Sequence, residues 1–137
     1  MPHVTVTRRL TFNAAHRVHN PALSEEENQL IFGKCNNPNW HGHNYELEVS
    51  VSGPIDPKTG YVIDLARVKE IVQRAIIDEV DHRNLNLEVS FMTGVIPTTE
   101  NLAVAFWRVL EKPLSPARLA RIRLWETENH YVEYQGE

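Results

Sequence analysis

Cys35-Asn36-Asn37-Pro38-Asn39-Trp40-His41-Gly42-His43-Asn44-Tyr45 decides how the chain is read. It holds the only cysteine and two of the seven histidines, and one glycine separates those two. The residues that follow, Tyr45-Glu46-Leu47-Glu48-Val49-Ser50-Val51, alternate apolar and polar, which is a strand pattern. Residues two apart on a strand share a face, so His41 and His43 continue the row of Tyr45, Leu47, Val49 and Val51. Two imidazoles then stand side by side on the face that the strand buries. Imidazole is the commonest metal ligand among side chains, and two supply half of a tetrahedral zinc shell.

Upstream, Val4, Val6, Leu10, Phe12, Ala14 and His16 make a second one-faced row, interrupted only by Arg8. If the two strands pair antiparallel, the end of the first meets the start of the second, and His16 joins His41 and His43. Three imidazoles leave a fourth position open, as in a catalytic zinc site. Spacing alone is also compatible with three ordinary, partly exposed histidines. The connection from Arg17 to Trp40 is 24 residues long, beyond the usual range for a structureless loop. Ser24-Glu25-Glu26-Glu27 has the form of a capping box, which predicts a short helix over 25–32 ending at Gly33.

Downstream, the second strand runs from about Asn44 to Ser52, and 53–60 is dense in turn formers. Asp64 caps a helix with Leu65, Val68, Ile71, Val72, Ala75 and Ile76 on one face, ending near Val80. Residues 86–97 read as loop. Thr98 caps a second long helix with Leu102, Ala105, Phe106, Val109 and Leu110 on its face, and Pro113 is expected to stop it. Two strands close the chain, the first with Ile122, Leu124 and Glu126 on one face and the second over about 129–134. The order ββααββ predicts an α+β fold: a four-stranded antiparallel sheet with two helices on one face, in a single domain over 1–137.

The net charge of −4, with no basic run, argues against nucleic acid as a partner. The longest apolar run, 102–107, is too short to span a bilayer, and the N-terminus shows no leader pattern. One cysteine cannot form an internal disulfide, which fits a reducing, cytoplasmic compartment.

Several other residues bear chemistry. Cys35 lies in a polar loop beside Lys34. A thiolate near a lysine and a metal is stabilised and can serve as a general base, whereas a lone cysteine is otherwise a small buried hydrophobe. Asp81-His82 offers a carboxylate–imidazole pair for proton transfer, or else a helix-end histidine beside a solvated aspartate. Glu126 ends an apolar row and needs a partner: either water, or a ligand presenting two coplanar N–H donors. Thr98-Thr99-Glu100 either only caps a helix or offers free N–H groups to a ligand.

Together these residues resemble the 6-pyruvoyl-tetrahydropterin synthase family. The matching blocks are 12–17 (Phe-Asn-Ala-Ala-His-Arg), 33–39 (Gly-Lys-Cys-Asn-Asn-Pro-Asn), His41-Gly42-His43-Asn44-Tyr45, 55–60 (Ile-Asp-Pro-Lys-Thr-Gly), 81–85 (Asp-His-Arg-Asn-Leu), 98–101 (Thr-Thr-Glu-Asn), Trp125-Glu126-Thr127 and 134–137 (Tyr-Gln-Gly-Glu). They cover nearly the whole chain. The resemblance implies a tunnelling fold whose protomers close a barrel as trimers, two of which stack into a hexamer. It implies zinc on His16, His41 and His43, Cys35 as the catalytic base, Asp81 and His82 as a proton relay, and Glu126 as the pterin anchor. Thr99 and Glu100 match the stretch that helps hold the pterin ring. Trp40 departs from the small residue found there in animal members.

The implied substrate is 7,8-dihydroneopterin triphosphate, converted without nicotinamide or flavin; no Gly-x-Gly-x-x-Gly segment is present to bind either. Five residues separate Cys35 from His41, which resembles the pyruvoyl-forming type. The queuosine-pathway 6-carboxy-tetrahydropterin synthases of the same superfamily have three. A non-catalytic pterin-binding protein is the alternative of another class.

Overall fold

The computed structural model describes residues 2–137. Two long strands, β1 (His3–His16) and β2 (His41–Pro54), pair antiparallel over their whole length, from His3 with Pro54 to His16 with His41. β4 (Arg118–Thr127) pairs antiparallel with β2, and β5 (His130–Tyr134) with β4. The second strand starts three residues earlier than its alternation suggests, so both histidines of His-Gly-His lie within the ladder.

The sheet corrects the expected count. It has five strands in the order β3-β1-β2-β4-β5, and it is mixed: β3 (Arg83–Asn84) runs parallel to β1 beside Ala14 and Ala15. The physical reason is local. After the helix ends, the chain turns along the open edge of β1, where His82 N–H donates to Asn13 O (2.6 Å) and Leu85 N–H to Ala15 O (2.8 Å). Those carbonyls would otherwise face the sheet edge unpaired.

One face of the sheet is covered. Asp64 caps α2 (Leu65–Val72) by accepting from Ala66 N–H. The helix continues through a π-helical segment (Gln73–Ile77) into a last turn, α3 (Asp78–Val80). Thr98 caps α4 (Thr99–Leu114). Val68, Val72 and Ile76 from the first helix, and Leu102, Phe106 and Leu110 from the second, pack on Leu10, Phe12, Tyr45, Leu47, Val49, Ile122 and Leu124. Pro113 does not stop α4; it lies inside the helix, which ends one residue later at Leu114. Proline there removes the one bond to the Val109 carbonyl, a loss offset by the burial of Leu114 in the core.

The long first connection contains α1 (Glu25–Phe32), with the capping box between Ser24 and Glu27 formed as its sequence predicts. A 3₁₀ turn (Gly33–Asn36) follows it, and another (Ser90–Met92) interrupts the loop over 86–97. Among the described residues, no helix is long and apolar enough to cross a membrane.

Candidate metal centre and active site

The ladder brings the three histidines together. His16 pairs with His41, and His43 pairs with Ala14 on the same face. Gly42 between them eases a close approach: a Cβ there would lie 3.2 Å from the Ala14 carbonyl oxygen, and the strand would have to give by a few tenths of an ångström. The ring centroids stand 4.5 Å (His16–His41), 5.0 Å (His41–His43) and 5.1 Å (His16–His43) apart. One nitrogen from each lies within 4.8 Å of the others.

Neighbours orient the cluster. His16 is 1% exposed, and its Nδ1 is 2.8 Å from Pro97 O. A carbonyl only accepts, so Nδ1 carries the proton and Nε2 keeps its lone pair. Pro97 leads into the cap of α4, so the helix start and the imidazole hold one another in place. Below them Tyr45 is fully buried and stacked on Phe12 at 4.7 Å. Burial, with the charges of Glu126 and Cys35 adding, keeps its hydroxyl protonated. Burial also pushes His16 below its ordinary pKa; the proximity of His41 and His43 adds to this, against the bond to Pro97 O and the charge of Glu126. His43 is lowered as well, again chiefly by burial. Both are neutral near pH 7, the form a metal requires.

His16 Nε2, His41 Nδ1 and His43 Nε2 are buried without a hydrogen-bond partner. Orphaned buried polar atoms carry a penalty unless something satisfies them. Three converging imidazoles without partners suit a borderline-soft divalent cation.

Glu126 faces this cluster. Its Oε2 accepts from the Thr99 hydroxyl (2.7 Å), and its oxygens lie 3.9 Å from His16 Nε2 and 3.9 Å from His43 Nε2. Burial would raise this carboxyl, but the Thr99 hydrogen bond and the facing imidazoles of His43 and His16 outweigh it and hold it below the ordinary value. The carboxylate is therefore charged and has partners on the protein side. Glu100, next in sequence to Thr99, is exposed on the helix and takes no part in that contact.

The remaining candidates lie on turns. Cys35 is exposed on its 3₁₀ turn, which corrects the buried-hydrophobe alternative. The turn is tied to the exit of β1: Val18 N–H donates to Cys35 O (2.8 Å) and Arg17 Nε–H to Asn36 O (2.8 Å). Asp81 and His82 do touch, with Oδ2 3.0 Å from Nδ1, although His82 is 81% exposed. The Asn13 N–H, at 2.9 Å, is the largest cause that holds the Asp81 carboxyl below its ordinary value, and the His82 imidazole adds to it. The structure thus gathers His16, His41, His43, Glu126 and Thr99 in one cluster. Asp81 and His82 form a separate pair on the β1 edge.

Three features escaped the sequence reading. Trp40 and His82 both have positive φ, at 69° and 59°, where a side chain is strained and a glycine is not. This bears on Trp40, which stands where a small residue would be relaxed. The third is His130, whose Nε2 is 3.3 Å from Glu126 Oε1. A histidine four residues after the glutamate, across a tight strand turn, was the available signal.

An α+β sheet that sets three converging imidazoles beside a fixed carboxylate defines a fold with a cluster that could hold a metal ion. The comparisons make that class specific. The family model for 6-pyruvoyl tetrahydropterin synthase matches residues 5–137, and the chain belongs to that family. It is 48% identical over 132 residues to the human 6-pyruvoyl tetrahydrobiopterin synthase, covering 96% of this chain and 91% of that one. The structure of the Caenorhabditis elegans 6-pyruvoyl tetrahydropterin synthase superposes with a TM-score of 0.93 at 40% identity, covering 100% of this chain and 98% of that one. A more distant relative, the dihydroneopterin monophosphate aldolase of Pyrococcus furiosus, is 38% identical over 128 residues and 93% of both chains.

Proposed function

We propose that this chain is a zinc-dependent carbon–oxygen lyase that converts 7,8-dihydroneopterin triphosphate to 6-pyruvoyl-tetrahydropterin with loss of triphosphate. The observation that carries this reading is the trio of orphaned imidazole nitrogens beside Glu126, in a chain 48% identical to the human 6-pyruvoyl tetrahydrobiopterin synthase.

His16, His41 and His43 would hold zinc, which supplies Lewis acidity to the substrate's side-chain hydroxyls and acidifies the neighbouring C–H. Glu126 accepts the pterin amino and ring N–H groups as a bidentate, charge-assisted pair, which orients the ring. Thr99 fixes that carboxylate through its hydroxyl, and Glu100 contributes at the rim of the ring site. Cys35, exposed on its tethered turn, takes the carbon-bound proton as thiolate. Asp81 orients the His82 imidazole, which passes protons to and from the side-chain oxygens. The rearrangement is internal to the substrate, so no external oxidant or reductant is consumed.

The same reading includes trimers that close a barrel, paired into a hexamer, in the cytoplasm. It is supported by the open edges of the sheet: β1 is covered on its outer side only beside Ala14 and Ala15, and β5 has no outer neighbour among the described residues. Such edges pair readily with another copy.

Mass spectrometry of the products formed from dihydroneopterin triphosphate tests the activity. The expected result is 6-pyruvoyl-tetrahydropterin with one released triphosphate. A 6-carboxy product or an aldol-cleaved product would assign the chain to a different pterin chemistry. Bound but unchanged substrate would make it a binding protein.

A further inference from the structure

Glu126 does not sit in a regular ladder. Leu124 pairs with Val132 and Trp125 with Tyr131, but the next pair is Thr127 with His130. Glu126 is therefore the extra residue of a β-bulge. Continuing the Trp125–Tyr131 register would set His130 opposite Glu126 alone; the bulge sets it opposite Thr127 as well. A bulge re-aims the residue it leaves unpaired. Here it lets His130 reach both neighbours, with Nδ1 3.1 Å from Thr127 Oγ1 and Nε2 3.3 Å from Glu126 Oε1.

The hydrogen bonds fix the tautomer. Asn129 N–H donates to Thr127 Oγ1 at 3.2 Å. The Thr127 hydroxyl then donates to His130 Nδ1, and Nε2–H donates to the carboxylate, which only accepts. Each oxygen of Glu126 thus receives one donor from a different element: Oε2 from Thr99 at the start of α4, Oε1 from His130 at the start of β5. A carboxylate has about four acceptor sites, so two remain for a ligand. The nearest imidazole nitrogens of the cluster, both at 3.9 Å, are too far to take them.

We propose that His130 is a positioning residue that, with Thr99, locks the Glu126 carboxylate in the orientation that receives the paired N–H groups of a pterin ring. This inference rests on Glu126 being the pterin anchor. Without His130 the carboxylate turns about its one remaining tie to Thr99, and the second ligand hydrogen bond is lost for part of the time.

The test uses the full chain and pterin itself as probe, with binding followed by pterin fluorescence. His130→Ala should weaken pterin binding about tenfold, the lower end of what a hydrogen bond to a charged group is worth. It should raise KM for the triphosphate substrate more than it lowers kcat, and it should leave metal content and melting temperature unchanged. His130→Gln, whose amide can donate to the same oxygen, should recover most of the affinity. In a Glu126→Gln background, His130→Ala should have no further effect. If His130→Ala binds pterin as tightly as the unaltered chain while Glu126→Ala does not, the positioning role is overturned and the anchor stands. If Glu126→Ala also retains full affinity, the anchor reading itself fails. Loss of metal in His130→Ala would overturn the inference by assigning the residue to the imidazole cluster.

Discussion

His16, His41 and His43 hang from two strands hydrogen-bonded to each other along their whole length, whereas Cys35, Asp81 and His82 project from turns. The imidazole nitrogens are buried and already gathered. The proton-transfer candidates face solvent: Cys35 is exposed, and the His82 ring is almost wholly so. A ligand shell gains from rigidity because an ordered site spends less of its binding energy on ordering. Groups that meet a substrate on one side tolerate turns, provided the turns are tethered. Both turns are tied to β1, one through Val18 beyond its end and one through Asn13 within it. The contrast predicts that the two regions fail separately.

The largest effect belongs to the strand-borne region. His43→Ala should bring the metal-to-protein ratio from about one to near zero after dialysis, since two imidazoles are half a tetrahedral shell. Elemental analysis measures it, and turnover should vanish with the metal. An unchanged ratio would break the assignment of the trio. Next, Cys35→Ala should lower turnover by about 10²–10⁴, the usual contribution of a positioned proton-transfer group, with metal content intact. Metal loss in that variant would make Cys35 a ligand and merge the two regions.

The contrast also explains what was legible in the sequence. The trio could be read because strand alternation has a period of two, and because an antiparallel pair must bring the end of β1 to the start of β2. The caps at Ser24, Asp64 and Thr98 are local chemistry, written within four residues each. β3 was not legible, because two residues carry no periodicity and their pairing satisfies an edge defined by a strand nearly seventy positions earlier. The bulge at Glu126 was hidden for a related reason: alternation through Ile122 and Leu124 continues formally to Glu126, and only the register with β5 reveals the extra residue. His130 stayed out of view with it. Contacts of Cys35 and Asp81 depend on where long connections return, which spacing does not encode.

A smaller effect follows from pH. His16 and His43 are held below their ordinary value of 6.5, so protons compete with the metal only once pH falls below that value. Metal affinity should be nearly flat from pH 8 to 7 and decline as pH drops through the lowered values. The sign for the metal-free chain is the same: the unfolded state takes up protons first, so stability is lost as pH falls from 6.5 through the folded values. Affinity that already declines steeply above pH 7 would mean that the imidazoles are not shielded.

The smallest effect lies on the β1 edge. Asp81 is held below its ordinary value of 3.8, so its stabilising contribution is present above that pH and is lost as pH falls through the lower folded value. Asp81→Asn should therefore lower the urea midpoint slightly at pH 7, by roughly half a kcal/mol at most once solvent screening of a carboxylate more than a third exposed is allowed for. The difference should shrink as pH falls below 3.8 and disappear once pH is below the lowered folded value, where both side chains are neutral. Metal content should not change at any of these pH values. If it did, the turn at Asp81 would be coupled through Asn13 and the β1 ladder to His16, and the separation between a rigid metal side and a tethered proton-transfer side would no longer describe the molecule.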